Sequence, residues 1–157
     1  MPKQKTAKPG ATASKKKARQ KLGVSKTAGK NTKKKKVAAK CPTFTVSRSE
    51  FPGHVKVLEN AKKKGHKLTG LQRQTGKNNI RRNRRRSQAP LRKAKGPPKK
   101  GYDYDEYPYA STHQGGHGAH VEPNKSEDNQ GAGRALGSFY RKNNISEGDT
   151  FDIKIVP

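Results

Sequence analysis

Acidic residues are missing from the start of the chain. Residues 1–40 hold 15 Lys and Arg and no Asp or Glu. Trp is absent, and Met and Cys occur once each. Each shortage excludes something. With Cys41 alone, an intramolecular disulfide is impossible, which fits a reducing compartment. Hydrophobic residues make up 27%, so much of the chain lacks the apolar surface to build a core. No apolar run approaches the length needed to cross a bilayer, and no membrane partner is expected. The N-terminal lysines have no apolar stretch behind them, so no secretory signal is expected and the anticipated setting is intracellular.

What the chain has is positive charge. Lys and Arg number 38 against 11 Asp and Glu, a net charge of +27 over 157 residues. Such a field finds polyanions, and the length allows one modest domain. The charge changes sign along the chain. Residues 41–100 hold 18 basic and 2 acidic residues, whereas residues 101–157 hold 5 basic and 9 acidic. This divides a Lys-rich arm over 1–40, expected to be disordered, from a body over 41–157 with a basic segment over 77–100. Lys33, Lys34, Lys35 and Lys36 form the densest cluster of the arm, suited to neutralising phosphates. Such clusters also match nuclear-import signals, and a nuclear or virion-associated setting would follow in a eukaryotic or viral context.

The body reads as α+β. "TFTVS" alternates like a strand, and Val55, Leu58 and Ala61 fall on one face of a helix that Gly65 can stop. "KLTGLQRQT" predicts a second short strand. "NNIRRNRRRSQ" predicts a helix capped by Asn78 or Asn79 and carrying Arg81, Arg82, Arg84, Arg85 and Arg86. Guanidinium groups pair bidentately with phosphate, so this run is a candidate for backbone contact. "KAKGPPKKG" reads as a loop and "AHVEP" as a strand. "SEDNQGAGRALGSFYRKNN" predicts a helix, capped by Ser126 or Asp128, with Leu136, Phe139 and Tyr140 on its apolar face. Phe151, Ile153 and Ile155 alternate in a final strand.

One stretch runs against the basic trend. "GYDYDEYPYAST" gathers Asp103, Asp105 and Glu106 among four tyrosines. On residue types alone it is either a surface acidic loop or a cluster of catalytic or metal-binding acids beside an anionic substrate. His113, His117 and His120 follow on a glycine-rich stretch, where zinc ligation competes with the commoner solvated loop histidines.

"GYDYDEYPYAS", "GGHGAHVEP" and "SEDNQGAG", in that order and register, resemble the motifs of the NucA/NucB-type non-specific deoxyribonucleases. "RSEFPGHVKVLENAKKKGH" is similar to the family's upstream helix, so the resemblance covers about residues 43–157. It implies a small ββα-metal fold, in which two strands and a helix hold one divalent cation, Mg²⁺ or Mn²⁺. It implies Asp105 as general base with Glu106 beside it, and Asn129 on the metal flanked by Asp128 and Gln130. The implied activity is metal-dependent, sequence-non-specific hydrolysis of DNA, with an inhibitor or packaging partner expected for an intracellular nuclease. Two rivals remain open: an inactive nuclease-like DNA-packaging protein, and a ribosome- or RNA-associated basic protein. The chain departs from the family's pattern at four positions. Gly70 and Thr112 stand where secreted relatives carry a cysteine pair, and Tyr104 and Gln130 stand where relatives carry arginines. Tyr104 could stack on a base or sugar.

Overall fold

A computed structural model describes residues 41–157. The arm over 1–40, with Lys33 to Lys36, lies outside the described residues. The described chain runs β1 (Thr43–Ser47), α1 (Pro52–Lys63), β2 (Leu71–Gln72), α2 (Lys77–Lys95), β3 (Tyr102–Tyr107), β4 (His120–Lys125), α3 (Ser126–Lys142) and β5 (Thr150–Val156). This is the expected α+β class. No helix among the described residues is long and apolar enough to cross a membrane.

The strands form two separate sheets. In the first, β5 lies between β1 and β2, parallel to β1 and antiparallel to β2. In the second, β3 and β4 pair antiparallel, with Asp105 opposite Glu122 and Tyr107 opposite His120. With α3 following directly, β3, β4 and α3 make a ββα unit. The acidic stretch is therefore a strand and not a surface loop.

The core follows the predicted periodicities. Val55, Leu58 and Ala61 are fully buried on α1, joined by Val57, and they pack with Phe44, Val46, Phe151 and Ile153 of the first sheet. Burying each large apolar side chain contributes about 1.5–3 kcal/mol, which a chain this poor in them must concentrate in one place. Leu136 and Tyr140 of α3 close the core, with Phe139 partly buried against it.

Three local expectations are corrected. Asn78 and Asn79 do not cap α2: the N-cap is Gly76, at φ 84, and both asparagines lie inside the first turn. Ser126 and Asp128 do not cap α3, because Lys125 occupies the N-cap and Ser126 is already helical. The loop expected over "KAKGPPKKG" begins only at Gly96, because α2 continues through Lys95.

α2 packs through polar groups. Its buried residues are Asn83, Ser87 and Gln88. Asn83 Nδ2 donates to Gln74 Oε1 and to the carbonyls of Ala110 and Thr112, at 2.5, 3.1 and 3.3 Å. A helix with so few apolar residues is thus held by matched donors and acceptors.

Segments 70–74 and 110–114, which carry the positions of the absent cysteine pair, are joined by hydrogen bonds. Gln114 accepts from the Gln72 amide and donates to the Gly70 carbonyl, and the His113 amide donates to the Gln72 carbonyl.

Candidate active site

Residues of β3 line an open cleft of about 540 Å³. Ile80, Arg84, Gln88 and Arg92, at four-residue spacing on α2, form one wall. Asn129, Gln130, Gly133, Leu136 and Gly137 of α3 form the opposite one. The floor is Asp103 to Glu106 and Tyr109 to Ser111, with His54 reaching in from α1 and Arg73 from the end of β2.

Adjacent residues of a strand point to opposite faces, and this separates the two central acids. Asp105 faces α1. It is 3% exposed, and its Oδ2 lies 2.8 Å from His54 Nδ1 and accepts from Asn124 Nδ2 at 3.0 Å. Oδ1 has no partner among the described residues. The other nitrogen of His54, Nε2, lies 3.0 Å from the Tyr109 hydroxyl. Burial, helped by Tyr107, Asp105 and Tyr140, holds that hydroxyl well above the usual phenol range, so it keeps its proton. A protonated hydroxyl can donate to Nε2, which leaves Nδ1–H to donate to Asp105.

Glu106 faces α2. Arg84 Nε donates to Oε1 at 3.0 Å and Gln88 Nε2 to Oε2 at 2.8 Å. Burial raises the Glu106 carboxyl above its ordinary range, against the opposing pull of Arg84 and Gln88. The pair is unequal: the Arg84 side chain is 61% exposed and that of Glu106 only 7%. Desolvation of the carboxylate therefore outweighs a partner still screened by water.

Of the residues predicted on α3, Asn129 and Gln130 line the cleft and Asp128 does not. Asn129 forms no side-chain hydrogen bond among the described residues. Gln130 Nε2 donates to Asp103 Oδ2 at 3.0 Å. Asp128 accepts from the amides of Gly53 and His54, at 2.7 and 3.1 Å, and so caps α1, whose own N-cap residue offers no side-chain bond. That cap places His54 beside Asp105. Gly53 is required there, because a Cβ would overlap Asn124 Oδ1.

Of the arginine run, only Arg84 lines the cleft, while Arg81, Arg82, Arg85 and Arg86 are exposed on α2. Tyr104 lines the cleft but is 4% exposed, with its hydroxyl donating to the Gly96 carbonyl at 2.9 Å. Sequence reading missed His54, Asn124, Tyr109, Gln88, Arg92 and Arg73. The four-residue spacing of Arg84, Gln88 and Arg92 was one signal available, since it sets them on one helical face.

The chemistry of the donors decides which ion would suit the cleft. Asp105, Glu106 and Asn129 offer oxygen, which suits a hard cation such as Mg²⁺, an ion that takes few protein ligands and keeps its waters. Among the described residues, no group of three or more His, Cys, Asp or Glu is placed to hold a metal. The histidines do not converge on one ion: His113 pairs with Glu147 at 2.7 Å. His120 Nδ1 lies 2.9 Å from Lys64 Nζ, and its Nε2 lies 2.9 Å from Glu122 Oε1 without hydrogen-bond alignment.

Comparison with known proteins completes the picture. The family described as Deoxyribonuclease NucA/NucB matches residues 58–154, well over half of the chain. The chain belongs to the NucA/NucB family. A DNA-entry nuclease of Bacillus subtilis (strain 168) is 54% identical over 41 residues, which span 26% of this chain and 28% of that protein. The match thus covers under a third of that relative's length. In this NucA/NucB chain the ββα unit, the buried acid on β3 and the open amide on α3 all meet at one cleft.

Proposed function

We propose that the chain is an endonuclease that hydrolyses DNA phosphodiester bonds with a divalent cation and without sequence preference. The observation that carries this reading is the setting of Asp105. Its Oδ2 is held by His54 and Asn124, while Oδ1 has no partner among the described residues and the residue lines an arginine-bearing cleft. A carboxylate so oriented can take a proton from a water that attacks phosphorus. Two hydrogen bonds on one oxygen keep the other aimed without relying on side-chain freedom.

Asn129, free of other bonds, would hold the cation with Glu106 nearby, and Asp128 would act through the cap of α1. A bound Mg²⁺ or Mn²⁺ supplies charge to a phosphoryl oxygen and to the departing oxygen. Arg84 faces the same space and is paired with Glu106, while the exposed arginines of α2 and Lys33 to Lys36 neutralise phosphates along the backbone. Backbone contacts position a duplex without reading its bases, which accounts for the absence of sequence preference in this reading. An intracellular setting and a restraining partner belong to the same proposal.

The test is incubation of purified protein with plasmid DNA and Mg²⁺ or Mn²⁺, with and without a chelator. Metal-dependent nicking that is lost in Asp105→Asn and Asn129→Ala is the expected result. Tight, salt-sensitive binding with no cleavage under either metal would overturn it in favour of a packaging role. Parallel RNA substrates decide between nucleic acids.

A further inference from the structure

The cleft carries three arginines, and only one is neutralised. Arg84 is paired with Glu106, but neither Arg92 nor Arg73 meets a carboxylate among the described residues. Each is laid over a tyrosine instead: the Arg92 guanidinium is 5.3 Å from the Tyr104 ring centroid, and that of Arg73 is 4.0 Å from Tyr140. A guanidinium stacked on an aromatic face can still make a planar contact through the nitrogens not bonded elsewhere.

Arg92 is also aimed. Its Nε and Nη2 donate to Gln88 Oε1 at 3.1 and 3.0 Å. The Gln88 amide is itself fixed, because its Nε2 donates to Glu106 and to the Tyr104 carbonyl. Nη1 of Arg92 is left without a partner among the described residues. On Arg73, Nη1 donates to the carbonyls of Gln74 and Ser111, while Nε is buried with no partner.

The place of Arg92 gives these contacts meaning. Arg92 stands over Tyr104, the neighbour of Asp105 on β3, and the Gln88 that aims it also holds Glu106. Unneutralised charge thus sits beside the two acids. A chain of anions repeated once per nucleotide, laid along β3, would meet this cation next to the acids.

We propose that Arg92 is an anchor for the phosphate next to the one presented to Asp105, so that one nucleic-acid strand lies along β3. This rests on the nuclease reading of the cleft. Tyr104 then serves by seating Arg92, and not by stacking on a base.

The experiment uses the full chain with Asp105→Asn, so that DNA survives, and measures anisotropy of a labelled four-nucleotide single-stranded DNA over a range of salt. Adding Arg92→Ala should weaken binding about tenfold and lower the salt slope by about 0.7, the share of one phosphate on a single strand. Arg92→Lys should lose affinity but keep the slope, because the charge stays while the planar hold is lost. Unchanged affinity and slope in Arg92→Ala would overturn the proposal. So would an equal loss in Arg86→Ala, on the same helix but outside the cleft, because bulk charge alone would then explain the effect. Cleavage by the chain with Asp105 intact is measured separately. If it is absent while the Arg92 effects hold, the nuclease reading fails and Arg92 stands as part of a strand-binding site.

Discussion

His54 Nδ1 lies 2.8 Å from Asp105 Oδ2, and both side chains are almost wholly buried. An α1 residue thereby fixes the acid of a strand 51 positions later. Replacing His54 with Ala removes a buried partner from Asp105 and from Tyr109. The expected cost is about 1–3 kcal/mol, read by denaturant unfolding, together with a large fall in plasmid nicking. Asn124→Ala should show a smaller loss of stability and a similar direction in activity. Full activity in both variants would mean that Asp105 needs no positioning.

Glu106 makes a prediction about pH. Its carboxyl is raised above the ordinary 4.5 by burial, so the native state holds its proton more tightly than the unfolded chain. Stability from this group is fully present below the unfolded value and is lost as pH rises through the higher folded one. Unfolding free energies of the native sequence and of Glu106→Gln, measured from pH 4 upward (an interval set by the ordinary value, about 4.5), should diverge in that window. The native sequence should fall and the variant should stay flatter. Parallel curves would assign the burial cost elsewhere.

Asp128 separates two roles. As the cap of α1, its replacement by Ala should cost about 1–2 kcal/mol, with little change in the metal concentration that half-saturates cleavage. As a metal ligand, it would shift that concentration strongly while leaving unfolding nearly unchanged. The capping geometry favours the first outcome, and thermal unfolding with a Mg²⁺ titration decides it.

The lysine arm should act on affinity and not on the chemical step. Changing Lys33 to Lys36 to Ala is expected to lower the salt slope of duplex binding by up to about 0.9 per phosphate contact removed. Turnover at saturating DNA should hold. A loss of turnover with unchanged binding would contradict the division into arm and body.

The sequence alone determined most of the elements and the family. Alternation in "TFTVS" and "FDIKIV", the helical face of Val55, Leu58 and Ala61, and the spacing of three motifs are all properties of neighbours in the chain. Asp105, Glu106 and Asn129 were legible as candidates for the same reason. Tertiary structure decided what each would touch. Asp105 and Glu106 are adjacent in sequence, yet the pleat of β3 sends one to His54 and the other to Arg84. Asp128 reads as a neighbour of Asn129, but helix geometry turns it away to cap α1. Arg73 and Arg92 drew no notice in a chain with 38 basic residues, because charge in a sequence has no direction. Only packing shows which guanidinium groups meet a carboxylate and which are left facing the cleft.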